Sequence, residues 1–84
     1  MLRQPKKQDR MYAVEIGNNA ETIMEPCIYA QNPKQAVVFA LKKNGYNIGY
    51  KDVLSSSNQF AAVAKVCLLG GICESVSYYF VHLK

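Results

Sequence analysis

A chain of 84 residues forms one domain with a single core and has little room for a deep pocket. Of its residues, 50% are apolar and 19% are charged, which is typical of a folded domain and unlike a disordered tail. No apolar run reaches the roughly 18–20 residues that span a bilayer, and the N-terminus lacks the apolar core of a secretory signal. We therefore expect a cytoplasmic protein that does not bind a membrane.

The net charge of +4 is concentrated at the start of the chain. Residues 1–10 contain four basic side chains and one acidic side chain, a balance of +3, which leaves +1 for residues 11–84. The first ten residues are polar and show no periodicity, so we expect a disordered basic arm (1–10) before a single domain (11–84). The basic residues of this arm are Arg3, Lys6, Lys7 and Arg10.

A β-hairpin is predicted at the start of the domain. Tyr12, Val14 and Ile16 alternate with other residues at the period of a half-buried strand. The Gly-Asn-Asn sequence at 17–19 favours a tight turn, which leads to a partner strand at 22–30. Since Pro26 cannot donate a hydrogen bond within a sheet, this second strand is expected to lie at an edge or to contain a bulge.

A helix is predicted over 33–44. Asn32 is a suitable N-cap, proline suits the first helical position, and Gln35 stands where a capping box needs it. Gly45 is expected to end the helix. Val38 and Phe39 point away from the helical stripe that suits the sheet, although a surface helix usually keeps that side polar. Either the second half of the chain covers them, or they form a surface for self-association or for a protein partner.

The second half of the chain allows two structures. Residues 60–69 fit either a helix or a strand that forms a hairpin with 73–83 across a two-glycine turn. We favour the hairpin, in which Leu69 pairs with Ile72. It gives the order β-β-α-β-β, and the helical alternative gives β-β-α-α-β. Both are α+β folds in which a small antiparallel sheet has a helix packed on one face.

The last predicted strand contains two adjacent tyrosines, Tyr78 and Tyr79. Neighbouring side chains of a strand face opposite sides of the sheet, so at least one of the two lies away from the helix or at its margin. Tyrosine combines apolar area with a hydrogen-bonding group, which suits protein recognition and also stacking on unpaired bases. The residues expected to bind a partner are Val38, Phe39, Tyr78 and Tyr79.

No catalytic, cofactor or metal site is predicted. Cys27, Cys67 and Cys73 are an odd number, which favours reduced thiols packed as small hydrophobes, with a Cys67–Cys73 disulfide as the alternative. A zinc site needs four ligands, and His82 is the only histidine. No sequence motif supplies a base for a cysteine or serine nucleophile, so an enzyme is not expected.

Two classes of function remain. The first is a non-enzymatic protein-binding module that acts as an inhibitor or adaptor of a larger protein. The alternative is a nucleic-acid-binding protein whose arm binds phosphates and whose tyrosines stack on bases; the nearly neutral charge of residues 11–84 disfavours it. In size, in lysine and asparagine usage and in its strand–strand–helix opening, the chain resembles the small orphan proteins that phages and other mobile elements encode. That resemblance implies an inhibitor of host defence and transfers no site residue.

Overall fold

A computed structural model describes residues 9–17, 21–54, 62–69 and 73–81, with only the backbone described at 73 and 74. One helix packs against a five-stranded antiparallel sheet whose strand order is β2-β1-β4-β5-β3. The elements are β1 (Arg10–Gly17), β2 (Thr22–Ala30), α1 (Pro33–Lys43), a 3-10 turn (Tyr50–Asp52), β3 (Val53–Leu54), β4 (Ala62–Leu69) and β5 (Cys73–Val81). The α+β class and the β-β-α-β-β order are confirmed, with the two-residue strand β3 as an addition.

The hairpin of β1 and β2 contains a bulge at proline. The register places Tyr12 opposite Ile28 and Val14 opposite Glu25, so that Pro26 and its successor together oppose one residue of β1. An extra residue of this kind accommodates a proline, which has no N–H to donate. Strand β2 is also at the edge of the sheet, so both consequences predicted for Pro26 are present.

Helix α1 begins at Pro33, as predicted, and ends at Lys43, one residue before the predicted end, because Asn44 is the C-cap. The side chain of Asn32 accepts a hydrogen bond from the backbone N–H of Gln35 at 2.8 Å. The side chain of Gln35 reaches back to the N–H of Gln31 at 2.7 Å, one residue before the position that a capping box would use. At the other end Gly45 has φ +90°, the left-handed conformation in which glycine is favoured after a helix.

Strands β4 and β5 form the predicted hairpin, but the predicted register is wrong. Pairing Leu69 with residue 72 would have set Ala62 opposite Tyr79, whereas the structure pairs Ala62 with Val81. The register also shifts after Leu68, so Leu69 pairs with residue 73. A displacement of two residues leaves every side chain on its original face of the sheet, and hydrophobic alternation therefore cannot distinguish the two registers. The predicted turns at 17–19 and 70–71 extend outside the described residues.

The hydrophobic core fills the space between the helix and the sheet. Its largest members are Tyr12 and Ile16 of β1 and Leu41 of α1. For Val38, the structure shows the first of the two alternatives for this side of the helix, in which the rest of the chain covers it, because its side chain is only 4% exposed. Helix α1 contacts the 3-10 turn as well as strands of the sheet, so the chain after the helix covers a second side of it.

Candidate protein-binding surface

The sheet has one covered face and one open face. Alternate residues of β1 (Tyr12, Val14 and Ile16) are buried under the helix, so the intervening side chains project from the opposite side. We call this opposite side, away from α1, the open face. Six large apolar side chains are exposed among the described residues, and five of them lie on the open face: Met11, Met24, Tyr29, Val76 and Tyr78. Exposed apolar area is therefore concentrated on one surface of the molecule.

A shallow apolar groove runs across the centre of the open face. Its volume is about 520 Å³, and its lining includes Ala13, Met24, Pro26, Cys67 and Val76. Ala13 lies at the centre of this lining, with Cys67 opposite it on β4 and Pro26 beside it on β2. The side chains of Met24 and Tyr78 are 68% and 59% exposed, the two highest values among the exposed large apolar residues. Contiguous exposed apolar area of this kind is typical of a contact surface.

Two charged side chains, of opposite sign, lie on the described part of the open face. Glu15 of β1 and Lys65 of β4 are directly opposite each other in register, near the middle of the sheet. Directly opposed residues on one face have Cβ atoms about 4.5–5.5 Å apart. The described open face therefore has no net charge, and its charges form one adjacent acid–base pair within an apolar surround.

On the helix side, a polar cluster ties β2 to the C-terminal end of α1. Lys43 Nζ lies 2.9 Å from Glu25 Oε1, and the side-chain amide of Asn44 donates to Glu25 Oε2 at 2.9 Å. The hydrogen bond from Lys43 is the main reason that the pKa of Glu25 is lowered from its usual value. Nearby, the hydroxyl of Tyr46 donates to Glu21, and this hydrogen bond raises the pKa of Tyr46. Every polar group here bonds to a neighbour, which indicates a structural role.

The predicted partner-binding residues do not form one surface. Tyr78 projects from the open face, whereas Tyr79 packs against the core, and burial is the main reason that the pKa of Tyr79 is raised. The two tyrosines therefore face opposite sides, as predicted. Phe39 is partly buried and packs against the core, and Val38 is inside it. The partner-binding role of Phe39, Tyr78 and Tyr79 remains a prediction.

The basic arm lies largely outside the described residues. This applies to Arg3, Lys6 and Lys7. Arg10, which we placed at the end of the arm, is exposed and is the first residue of β1. The strand thus begins one residue before the predicted domain boundary.

The prediction of three reduced thiols is wrong. Cys67 is disulfide-bonded, and the side chain of Cys73, its alternative partner in the sequence prediction, lies outside the described side chains. Cys27 is free, but it is exposed in β2 and not packed in the core. Strand β4 brings Cys67 to the open face, and the backbone of Cys73 pairs with Leu69, two residues further along β4. Within the described residues there is no group of three or more potential metal ligands. His82 lies outside the described residues.

Comparison of the chain with protein-family models, with curated proteins and with solved structures finds no significant match. No helix in the described part of the chain is long and apolar enough to cross a membrane. Most residues of the open face were not identified from the sequence as a contact surface, among them Glu15, Met24 and Lys65. The period-two alternation of β1 does place Met11, Ala13 and Glu15 on one side of that strand, but only the strand order shows what lies beside them.

Proposed function

We propose that this domain is a non-catalytic protein-binding module, an inhibitor or adaptor, whose contact surface is the open face of the sheet. The observation that carries the proposal is the concentration of exposed apolar side chains on this face. Five of the six exposed large apolar residues that the structure describes are there, around a groove of about 520 Å³. Aromatic residues and methionine are enriched at protein interfaces, and Tyr29, Tyr78 and Met24 supply both.

The charge of the open face favours protein over nucleic acid. A surface that binds nucleic acid needs several basic side chains to neutralise phosphates. The described open face has one lysine, Lys65, and Glu15 is adjacent to it. The tyrosines on this face are accordingly assigned to contacts with apolar protein groups.

A comparison of two tyrosine variants tests the proposal. Tyr78 on the open face and Tyr50 in the 3-10 turn are both exposed, at 59% and 47%, so they are matched in residue type and accessibility. Wild-type, Tyr78→Ser and Tyr50→Ser proteins would each be used to capture proteins from an extract of the native host, with quantification by isotope-labelled mass spectrometry. The expected result is a protein that wild type and Tyr50→Ser retain and that Tyr78→Ser loses at least about fivefold, since an interface hot spot contributes about 1–2 kcal/mol or more.

Circular dichroism would first establish that both variants are folded. If every captured protein binds the two variants equally, the open face is not the contact surface. If the wild-type domain retains nucleic acid and no protein, the alternative function replaces this one.

A further inference from the structure

We infer that the open face binds a second copy of this chain, and that the two sheets pack face to face around a two-fold axis. The axis lies between β1 and β4 and runs parallel to both strands. Because this dimer uses the surface proposed above as the contact surface, it rests on the proposed function and names the partner.

One row of side chains across the sheet carries the inference. The register aligns Met24 of β2 with Glu15 of β1, Glu15 with Lys65 of β4, and Lys65 with Tyr78 of β5. The row therefore has an acid and a base in its middle and a large, exposed apolar side chain at each end. A partner that complements it needs a base opposite Glu15, an acid opposite Lys65 and apolar groups at both flanks.

A second copy of the same row meets that requirement. Rotation by 180° about the axis between β1 and β4 exchanges the two central positions, so Glu15 lies over Lys65 of the second copy and the reverse. The same rotation places Met24 over Tyr78 of the second copy, a thioether against an aromatic ring, which is a favourable contact. No like charges are opposed. A two-fold interface must be self-complementary in this way, because one patch serves both subunits.

The neighbouring row satisfies the same axis. It runs from Pro26 past Ala13 of β1 to Cys67 of β4 and Val76 of β5. The rotation sets the methyl group of Ala13 opposite the disulfide-bonded Cys67 of the second copy and Pro26 opposite its Val76, so apolar groups meet both at the centre and at the flanks. Two sheets packed with their strands nearly aligned lie about 10 Å apart, a space that side chains of both faces fill. The Glu15–Lys65 pairs contribute mainly to register, because desolvation offsets much of the attraction between buried charges.

The size of the face places the dimer among weak, reversible interfaces. The width of the face is four strands at about 4.8 Å each, and its length is eight residues at about 3.3 Å each. The face therefore covers about 500 Å² on one copy, or about 1,000 Å² in the pair. Specific interfaces usually bury about 1,200–2,000 Å² in total, and weak ones bury less. We therefore expect a reversible dimer with a Kd of roughly 1–100 μM.

The test is sedimentation equilibrium of the full chain at concentrations from about 0.5 μM to 1 mM, a range that brackets the expected Kd. Glu15→Lys alone and Lys65→Glu alone each oppose like charges across the axis, so each is expected to raise Kd at least about tenfold. An equimolar mixture of the two variants opposes unlike charges at both positions and is expected to form a heterodimer with a Kd near that of wild type. Lys51→Glu is the matched control, because Lys51 is exposed in the 3-10 turn and lies off the open face.

Several results would overturn the dimer. These are a monomer at every concentration, a dimer whose Kd neither charge reversal changes, and a mixture that fails to restore association. A full chain that is monomeric but dimerises after deletion of residues 1–8 would also overturn it, since the arm would then occupy the face. If the chain is monomeric and Tyr78→Ser still loses a captured protein, the proposed function stands with a different partner. If that capture is also unaffected, both proposals fail.

Discussion

Replacing Phe39 by alanine distinguishes a core residue from an interface residue on the outer side of α1. Removal of a fully buried phenylalanine costs about 3–5 kcal/mol. Phe39 is partly buried and packs against the core from one side, so about half of that cost, roughly 2 kcal/mol, is expected. A domain of this size is stable by about 4–13 kcal/mol, so the loss is measurable without unfolding the protein. In urea, with a slope near 1–2 kcal/mol per molar, the midpoint should fall by about 1–2 M.

Val38→Ala is the comparator for Phe39→Ala. Val38 is 4% exposed, and loss of its two methyl-sized groups removes about 1.6 kcal/mol of transfer free energy, plus a cavity contribution. Both variants should therefore lose similar stability, and neither should change the sedimentation behaviour of the chain. A loss below about 0.5 kcal/mol for Phe39→Ala, accompanied by weaker association, would refute its assignment to the core and restore the helix as a contact surface.

The remaining predictions concern the thiols, one ion pair and the arm. Since Cys67 is disulfide-bonded and Cys27 is free, thiol labelling and peptide mapping of the unfolded, unreduced protein should detect Cys27 and not Cys67. Labelling of all three cysteines in protein isolated from its native host would contradict this and support the reducing compartment expected from the sequence. Lys43 lowers the pKa of Glu25 in the folded protein, so the pair stabilises the fold above pH 4.5, and this contribution is lost as pH falls below that value. In thermal unfolding measured against pH, Glu25→Gln should remove that part of the pH dependence. Deletion of residues 1–8 should leave the thermal midpoint unchanged and abolish any nucleic-acid binding, which should also weaken steeply with salt in a fluorescence titration.

The elements that the sequence predicts correctly are those specified by local chemistry. The helix boundaries are specified by the side chain of Asn32 and by the backbone preferences of Pro33 and Gly45. The alternation of residues along β1 likewise specifies which of its side chains face the core. The register of β4 and β5 is not local. A shift of two residues leaves every side chain on the same face of the sheet, so the alternation of residues does not specify the register. The bulge after Leu68 is likewise not indicated by any residue type in the sequence.

The open face was missed for a related reason. Glu15 and Lys65 are fifty positions apart in the chain, and each has the pattern of an ordinary exposed charge on its own strand. They become neighbours because β1 and β4 are adjacent in the strand order. The helical pattern left both a covered side and a contact surface open for Val38 and Phe39, since it contained no information about the chain segment that covers the second side of α1.

The apolar content of the chain nevertheless bears on the second face of the sheet. One eleven-residue helix covers one face of the sheet in the described structure. A sheet with one solvated face usually alternates apolar and polar residues, with polar groups outward. Here the outward positions of β1, β2 and β5 include Met11, Met24, Tyr29, Val76 and Tyr78. Keeping this much apolar area in water costs free energy that burial would recover at about 25 cal/mol per Å². The proposed contact surface would account for this departure from polar alternation, and in the proposed dimer the Glu15–Lys65 pair would specify which surface fits.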